Sequence, residues 1–225
     1  MNKYILRLNK IYNYLFKEKF YKKIRINWGD YPNRTELIQK IIDLKEFKSY
    51  LEIGCDDDVN FDKIKINLKI GVDPISGGNI RKTSDQFFRT NKEYFDCVFI
   101  DGLHEYSQVR KDIKNSLDFL NNGGIIFLHD CLPRSYFEQA IPRSQHLWTG
   151  DVWKAIVEFR TKEEVDICVG LLDMGLGIIV KRKNSNKLNM HIKNFKKLKY
   201  EDYYYNQKNF MNIVEYEKII QFIDQ

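Results

Sequence analysis

Polar and charged side chains follow four apolar, strand-like runs of this sequence, at 49–54, 68–74, 95–102 and 123–130. In an open, doubly wound sheet, ligands bind outside the carboxyl ends of the parallel strands. One such residue alone would be interpreted as a helix cap or turn residue, but several together indicate a site. The candidates are Glu52, Gly54, Asp73, Ser84, Asp85, Asp101, His104, His129 and Asp130.

Asp73, at the tip of the second run, points to a nucleoside ligand. A carboxylate there can accept hydrogen bonds from both ribose hydroxyls of a dinucleotide or of S-adenosylmethionine. After Gly54 comes Cys-Asp-Asp-Asp, without the further glycines of a dinucleotide fingerprint, and the sequence has no P-loop. An acidic turn suits a sulfonium cation better than a pyrophosphate, so S-adenosylmethionine is favoured.

Asp101, His129 and Asp130 offer two carboxylates and an imidazole from neighbouring strand ends. Oxygen ligands suit Mg²⁺, and an imidazole also admits Mn²⁺ or iron. The alternative is that His129 packs under the sheet while Asp130 caps a loop. His104 follows Asp101 by three residues, and its imidazole could act as a general base near neutral pH.

The elements that would position these residues alternate along the chain. Strands separated by helices predict an α/β fold with a doubly wound, Rossmann-like parallel sheet covered on both faces. Two further strands, within 165–173 and 175–183, predict an antiparallel edge pair. Helices are predicted at 1–26, at 35–47 with Thr35 as N-cap, near 62–66, and at 84–88, 106–120, 152–161 and 200–224.

The composition excludes several classes of protein. The 225 residues are 43% hydrophobic and 30% charged, as in a globular protein with one sizeable core. No apolar run reaches the ~18 residues of a membrane span, and we expect the N-terminus to be neither a secretory signal nor an anchor.

Four scattered cysteines without a CxxC pair predict reduced packing residues in a cytoplasmic protein: Cys55, Cys97, Cys131 and Cys168.

Five segments resemble class I S-adenosylmethionine-dependent methyltransferases, in the group that modifies sugars of surface polysaccharides, nucleotide sugars and antibiotics. The longest and most specific is FDCVFIDGLHEYSQVRKDIKNSLDFLNNGGIIFLHDCLP. The resemblance implies a seven-stranded sheet with an antiparallel last strand. The segments are YLEIG (50–54), KIGVDPISGG (69–78), TSDQFF (83–88), the long block (95–133) and WTGDVWK (148–154).

The resemblance divides the chain into a helical segment 1–48, a methyltransferase domain 49–182, and a linker with a helical tail, 183–225. It also implies roles for the cofactor residues. Glu52 and Gly54 would lie at the methionine end, Asp73 on the ribose, and Ser84 with Asp85 near the adenine.

Metal-dependent relatives of the catechol O-methyltransferase kind hold magnesium at positions matching Asp101 and Asp130. His129 or Cys131 would supply a further contact. Their catalytic lysine corresponds to His104, which is therefore the candidate base. The implied cofactors are S-adenosylmethionine and Mg²⁺ or Mn²⁺.

The sequence therefore predicts O-methylation of a sugar or nucleotide-sugar hydroxyl, by in-line transfer of the methyl group from sulfonium to oxygen. Holding donor and acceptor in line would supply most of the rate enhancement, and a metal would lower the pKa of the acceptor hydroxyl. Aromatic and cationic residues on the segment after 123–130 are candidates for an acceptor lid, although both tryptophans could instead pin that segment to the body. These are Tyr136, Arg143, Trp148 and Trp153.

Three other functions stay open at this stage. One is a metal-independent methyltransferase, and another is a non-catalytic cofactor-binding protein that lost activity with the glycine turn. The net charge of +6 raises the third, nucleic-acid methylation, but we interpret the lysines as spread along the chain, with only 181–199 locally basic and solvated. No recognition module or Pro-Pro-Tyr-type motif supports it. We expect a small-molecule substrate and no nucleic-acid partner, with a homo-oligomer left open.

Overall fold

A seven-stranded sheet forms the centre of the computed structural model, which describes residues 2–225. The strands are β1 (Ser49–Ile53), β2 (Leu68–Val72), β3 (Phe95–Ile100), β4 (Leu120–Leu128), β5 (Asp166–Gly170), β6 (Leu176–Val180) and β7 (Ile213–Val214). Their order is β2-β1-β3-β4-β6-β5-β7. β6 runs antiparallel to β4 and β5, and the other pairs are parallel.

Helices cover both faces of this sheet. They are α1 (Lys3–Phe16), α2 (Arg34–Leu44), α3 (Ser84–Thr90), α4 (Tyr106–Asp118), α5 (Tyr136–Gln139), α6 (Trp153–Phe159), α7 (Tyr200–Met211) and α8 (Ile219–Ile223). Short 3₁₀ turns lie at Phe61–Lys63, Phe195–Lys197 and Tyr216–Lys218. The predicted doubly wound α/β fold is confirmed, and the antiparallel strand is the last one of the predicted domain 49–182.

The strands are apolar on both sides because each side meets a layer of helices. In β3, Val98 and Ile100 face the core beneath α4 and α6, while Cys97 and Phe99 face the core beneath α2 and α8. All four cysteines are free, buried thiols, as predicted. Polar side chains follow the carboxyl ends of β2, β3 and β4, at Asp73, Asp101 and His129.

The start of α2 differs from the prediction. Asn33, and not Thr35, is the N-cap: its side chain accepts a hydrogen bond from the backbone of Glu36, whose carboxylate accepts one from Asn33 N. This reciprocal capping box satisfies two free N–H groups at once. Thr35 instead donates a hydrogen bond to Asn60, 2.7 Å away.

The N-terminal helix is shorter than predicted, because it ends at Phe16 and residues 18–29 continue as irregular chain. Packing explains the change. Phe20 lies against Tyr204, with ring centroids 5.0 Å apart, and Tyr21 stacks on Phe137 at 5.6 Å. A continued helix could not deliver both neighbouring rings, which lie about 100° apart around a helix axis, to these two separate sites.

The C-terminal segment belongs to the body of the fold. Helix α7 buries Tyr203 and Phe210 against Trp153, with ring centroids 4.9 and 6.3 Å apart. The seventh strand, β7, also comes from this segment and pairs with β5, so β5 and β6 are not at the sheet edge. Across residues 2–225, no helix is both long and apolar enough to cross a membrane.

We therefore expect Tyr203→Ala to lower the free energy of unfolding by about 3–5 kcal/mol, as for other large aromatic side chains removed from a core. Urea denaturation followed by circular dichroism measures this change. Tyr205→Ala, on the same helix but exposed, is the matched control, with an expected change of about 0.5 kcal/mol. Equal effects of the two substitutions would show that the tail does not stabilise the core.

Candidate functional site

A cavity of about 810 Å³ lies at the carboxyl ends of β1, β2 and β3. It contains most of the residues that the sequence indicated. Its size suits a nucleoside-sized ligand together with part of a second molecule. The predicted residues that line it are Glu52, Gly54, Asp73, Ser84, Asp85, Asp101, His104, Arg143 and Trp148.

Gly54 allows the ends of β1 and β3 to approach each other. Its φ is +87°, and a Cβ atom at this position would lie 2.4 Å from the carbonyl oxygen of Asp101. Only glycine combines this backbone conformation with such a close contact. The carboxylate of Asp101 therefore lies directly beside the loop that follows β1.

The turn after Gly54 forms without further glycines. Asp56 and Asp58 take left-handed conformations, with φ of 47° and 63°. Aspartate tolerates this region better than most residues because its short polar side chain can bond locally. Asp58 Oδ1 accepts a 2.6 Å hydrogen bond from Gly78 N, which fixes the turn against the loop after β2.

Asp73 joins these two loops. Its Oδ1 accepts hydrogen bonds from the backbone of Ile75 and Ser76, and its Oδ2 accepts from Cys55 and Asp56, at distances of 2.8–3.3 Å. Burial opposes ionisation of Asp73, but these four donors outweigh it and hold its pKa below the ordinary value. The carboxylate is ionised at neutral pH and lines the cavity.

Glu52 has the opposite character. It is 1% exposed and accepts hydrogen bonds from the Tyr50 hydroxyl and from Asn60 Nδ2, at 2.5 and 2.7 Å. Burial dominates and raises the pKa of Glu52 to about 7. Near neutral pH this side chain is therefore divided between its charged and neutral forms.

Ser84 and Asp85 are held at the cavity wall by α4. Gln108 Nε2 donates to Ser84 Oγ and to Asp85 Oδ1, both at 3.1 Å, and Lys111 pairs with Asp85 Oδ2 at 3.0 Å. The hydrogen bond from Gln108, followed by Lys111, lowers the pKa of Asp85. Sequence reasoning missed Gln108, which also lines the cavity, because nothing in α4 marks it as different from a solvated polar residue.

A charged cluster surrounds Asp101. His104 Nε2 and His129 Nδ1 each lie 3.1 Å from Asp101 Oδ1, and the other ring nitrogen of His104 lies 3.1 Å from Asp130 Oδ2. Ligand atoms of Asp101, His104 and Asp130 fall within 4.8 Å of one another. The predicted metal set contained His129, whereas the structure groups His104 with the two carboxylates.

Two further members of this cluster were missed by sequence reasoning. Arg34, the first residue of α2, lies 2.8 Å from Asp173 and 3.8 Å from Asp101. Asp173, in the β5–β6 turn, also lies 3.6 Å from His129 Nε2. Arg34 precedes β1, and Asp173 falls in the segment 165–173 that the sequence assigns to an antiparallel edge pair, so the strand-end rule was applied to neither residue.

The cluster sets the charges of its own members. Burial opposes ionisation of Asp101, but His129 and His104 outweigh it and lower its pKa. Burial likewise opposes protonation of His129, and Asp101 with Asp130 outweigh it and raise its pKa to about 10. The pKa of His104 is raised as well, against its burial, by Asp101 and Asp130.

The segment 140–151 covers the cavity beside this cluster. Trp148 stacks on His104 with ring centroids 5.4 Å apart, and the Arg143 guanidinium lies 5.4 Å from the Trp148 ring. At Gly150, φ is +60° and a Cβ atom would clash with the carbonyl oxygen of His104. Glycine therefore lets this lid close onto His104.

Two of the predicted substrate residues lie elsewhere. Trp153 is fully buried, packs on α7 and donates a hydrogen bond to Gln139 Oε1 at 3.1 Å. Tyr136 is 2% exposed, and its hydroxyl donates to Asn13 at 3.2 Å. Neither lines the large cavity, so the prediction that they bind the acceptor is corrected: both are buried packing residues.

Comparisons with known protein families and solved structures bear on the fold of this chain. Residues 62–131 match a family described as a methyltransferase domain. No curated protein sequence matches the chain.

Solved structures are similar in fold. An O-methyltransferase from Bacillus cereus in complex with SAH has a TM-score of 0.50 and 13% identity, covering 80% of this chain and 90% of its own. An SAH-bound methyltransferase from Podospora anserina has a TM-score of 0.50 and 15% identity, covering 67% and 78%. The chain thus has the fold of these methyltransferases, and the predicted fold is confirmed.

The raised pKa of Glu52 makes a prediction about stability. A carboxyl whose folded pKa is about 7 and whose unfolded pKa is near 4.5 loses its stabilising contribution as the pH rises through that interval. Between pH 5 and 7.5 the wild type should lose roughly 2 kcal/mol of unfolding free energy through this group.

Glu52→Gln should remove that loss, since glutamine resembles the neutral acid. Urea denaturation of both proteins at the two pH values measures the difference, with Glu201→Gln, exposed on α7, as the control. The same pH dependence in wild type and Glu52→Gln would contradict the assignment.

Proposed function

We propose that the protein transfers a methyl group from S-adenosylmethionine to a hydroxyl of a sugar or nucleotide sugar, such as a precursor of a surface polysaccharide. One observation carries this proposal. A single cavity holds the cofactor candidates on one side and, on the other, a charged cluster next to Arg143 and Trp148. Donor and acceptor would therefore meet at Asp101 and His104.

The cofactor side depends on Asp73. An ionised carboxylate makes stronger hydrogen bonds to hydroxyls than a neutral group does. Its four acceptor sites already receive backbone donors, so we expect the ribose hydroxyls to share Oδ2, whose bonds to Cys55 and Asp56 are long, at 3.1 and 3.3 Å. The acidic turn would lie beside the sulfonium and ammonium groups.

The acceptor side depends on the lid. The indole of Trp148 offers an aromatic face for a sugar ring, and Arg143 offers a guanidinium for a phosphate. Arg143 is already held over the indole and donates hydrogen bonds to the carbonyl oxygens of Gln145 and His146. A phosphate would compete for the guanidinium with these two neutral carbonyl oxygens.

His104 remains the candidate base for the hydroxyl proton. Asp101 orients its Nε2, and Asp130 faces its Nδ1. Asp101 and Asp130 raise the pKa of His104 and so favour its protonated form. To act as a base, His104 must first lose a proton, and the freed ring nitrogen must then turn from its carboxylate toward the acceptor oxygen. The stacking of His104 on Trp148 links that movement to the lid.

The residues present fit a divalent ion. Two carboxylates and one imidazole offer ligand atoms within 4.8 Å of one another, and such a set suits Mn²⁺ or Mg²⁺. His104 cannot be a metal ligand and the proton acceptor at once, so with His104 as the base Asp101 and Asp130 would hold the ion. A bound ion would lower the pKa of the acceptor hydroxyl.

A metal-independent enzyme is the second candidate, and one observation favours it. The carboxylates of Asp101 and Asp130 already have His104, His129 and Arg34 as basic partners, so the cluster balances its charge without an ion. A non-catalytic role loses its main support, since Asp56 and Asp58 form the turn that lacks glycines.

For the cofactor, we expect Asp73→Asn to weaken binding of S-adenosylmethionine about 10-fold to 100-fold, because a charge-assisted hydrogen bond is worth about 1.5–3 kcal/mol. Isothermal titration calorimetry measures the affinity. Asp57→Asn is the matched control, since it removes an exposed carboxylate from the same cavity. Equal loss in both variants would mean that only the overall charge of the turn matters.

For the metal, we expect chelation to abolish turnover and Mn²⁺ or Mg²⁺ to restore it. Asp130→Asn should weaken Mn²⁺ binding by at least about 10-fold, as measured by electron paramagnetic resonance of the free ion. Asp118→Asn, on the exposed end of α4, should leave binding unchanged. Full turnover in chelator would select the metal-independent candidate.

For the base, we expect His104→Gln to lower kcat by about 10²–10⁴ while cofactor affinity stays within about twofold. Glutamine keeps hydrogen bonding but cannot take up the proton. The control is His146→Gln, on the exposed part of the same lid. Wild-type turnover in His104→Gln would reduce His104 to a positioning residue.

A further inference from the structure

Helix α1 has an unusual orientation on the protein. It is attached through Leu6, Asn9 and Asn13, and the two asparagines donate 2.8 Å hydrogen bonds to the carbonyl oxygens of Arg143 and Pro142. Apolar side chains that recur at helical spacing face outward. They are 43–71% exposed: Ile5, Leu8, Ile11, Tyr12, Leu15 and Phe16.

These six side chains form one continuous sector of the helix. At 100° per residue they span about 140° around the axis, between the directions of Ile11 and Phe16. Lys3, Arg7 and Lys10 lie together on the opposite, polar side. The asparagine attachment lies between the two, so the body of the protein does not cover the apolar sector.

Positive charge is concentrated around this helix. Residues 3–25 contain eight basic residues and one acidic residue, a net charge of +7 in a chain whose total is +6. The interpretation of the lysines as spread along the chain is therefore corrected. In the part of the chain that the structure describes, none of these eight cations lies within 4 Å of a carboxylate.

A second basic segment joins the first in space. Residues 181–199 contain eight basic residues and no acidic one. Lys196 of this segment and Lys17, next to the end of α1, line the same small cavity of about 250 Å³. Glu18, Glu105 and Asp151 line the same cavity, so the positive charge beside the apolar sector comes mainly from residues 3–25.

We propose that α1 docks the protein on the surface of an anionic lipid bilayer. A helix with an apolar sector and a basic polar face lies in the plane of the membrane interface and is attracted by anionic headgroups. With 14 residues, α1 is about 21 Å long, less than the ~30 Å hydrocarbon core, so it lies on the membrane and does not span it.

A second copy of the chain is a poorer occupant of this face. Pairing of α1 with its own copy would bury the apolar sectors, but it would also bring two segments 3–25, each with a net charge of +7, to one interface, and like charges repel. The lipid surface instead supplies the opposite charge. Through Asn9 and Asn13, docking would hold the lid at Arg143, and thus the mouth of the large cavity, close to the bilayer.

Vesicle co-sedimentation tests the proposal with the 225-residue chain. Vesicles of phosphatidylcholine with 30% phosphatidylglycerol should sediment the wild type. Pure phosphatidylcholine vesicles, or anionic vesicles in 0.5 M NaCl, should bind it at least about 10-fold more weakly. The double variant Leu8→Glu with Leu15→Glu should lose binding by about 10-fold or more.

The matched control is Leu44→Glu with Leu68→Glu, which makes the same charge change at two leucines that are 54% and 39% exposed away from α1. It should bind as the wild type does, and circular dichroism should give both variants the wild-type helix content. Equal loss of binding in the two double variants would overturn the proposal. A second result would also overturn it. In that result the wild type does not bind anionic vesicles and sediments as a dimer in the ultracentrifuge, whereas the α1 variant sediments as a monomer.

Discussion

The carboxylate of Asp101, held at the buried end of β3, is the constraint on which the site depends. An ionised carboxylate in such surroundings loses several kcal/mol of hydration unless cations and donors replace the water. Three separate elements supply them here: His104 from the following loop, His129 from the end of β4 and Arg34 from the start of α2. The position of Asp101 also requires Gly54, since any side chain there would collide with the backbone of Asp101.

This arrangement divides the cavity into two chemically different halves. On the side that we propose for the cofactor, Asp73 is kept ionised by backbone donors, while Glu52 is kept partly neutral by burial. On the acceptor side, the lid brings Trp148 onto His104. A methyl group moving from a sulfonium cation to an oxygen would cross from one half to the other beside Asp101. We propose that the geometry contributes mainly by alignment, which can supply about 7–11 kcal/mol of such a barrier.

The sequence predicted the elements that follow from local pattern and missed what depends on tertiary contacts. The strand-end rule located Asp73, Asp101 and His104 because alternating strands and helices force these ends to one edge. It could not locate Arg34 or Asp173, which reach the cluster from a helix start and from an antiparallel turn.

Side chains whose direction depends on packing were the other errors. Trp153 looked equally suited to a sugar ring or to a core, and only the neighbouring α7 decides for the core. The general rule is that the apolar face of a helix points inward, but α1 is attached to the body through its asparagines, so its apolar face points outward.

A crystal structure with S-adenosylhomocysteine tests the central claim most directly. The account predicts the ribose at Asp73 and the sulfur pointing toward Asp101 and His104, whereas an empty cavity, or a ligand bound elsewhere, would contradict it.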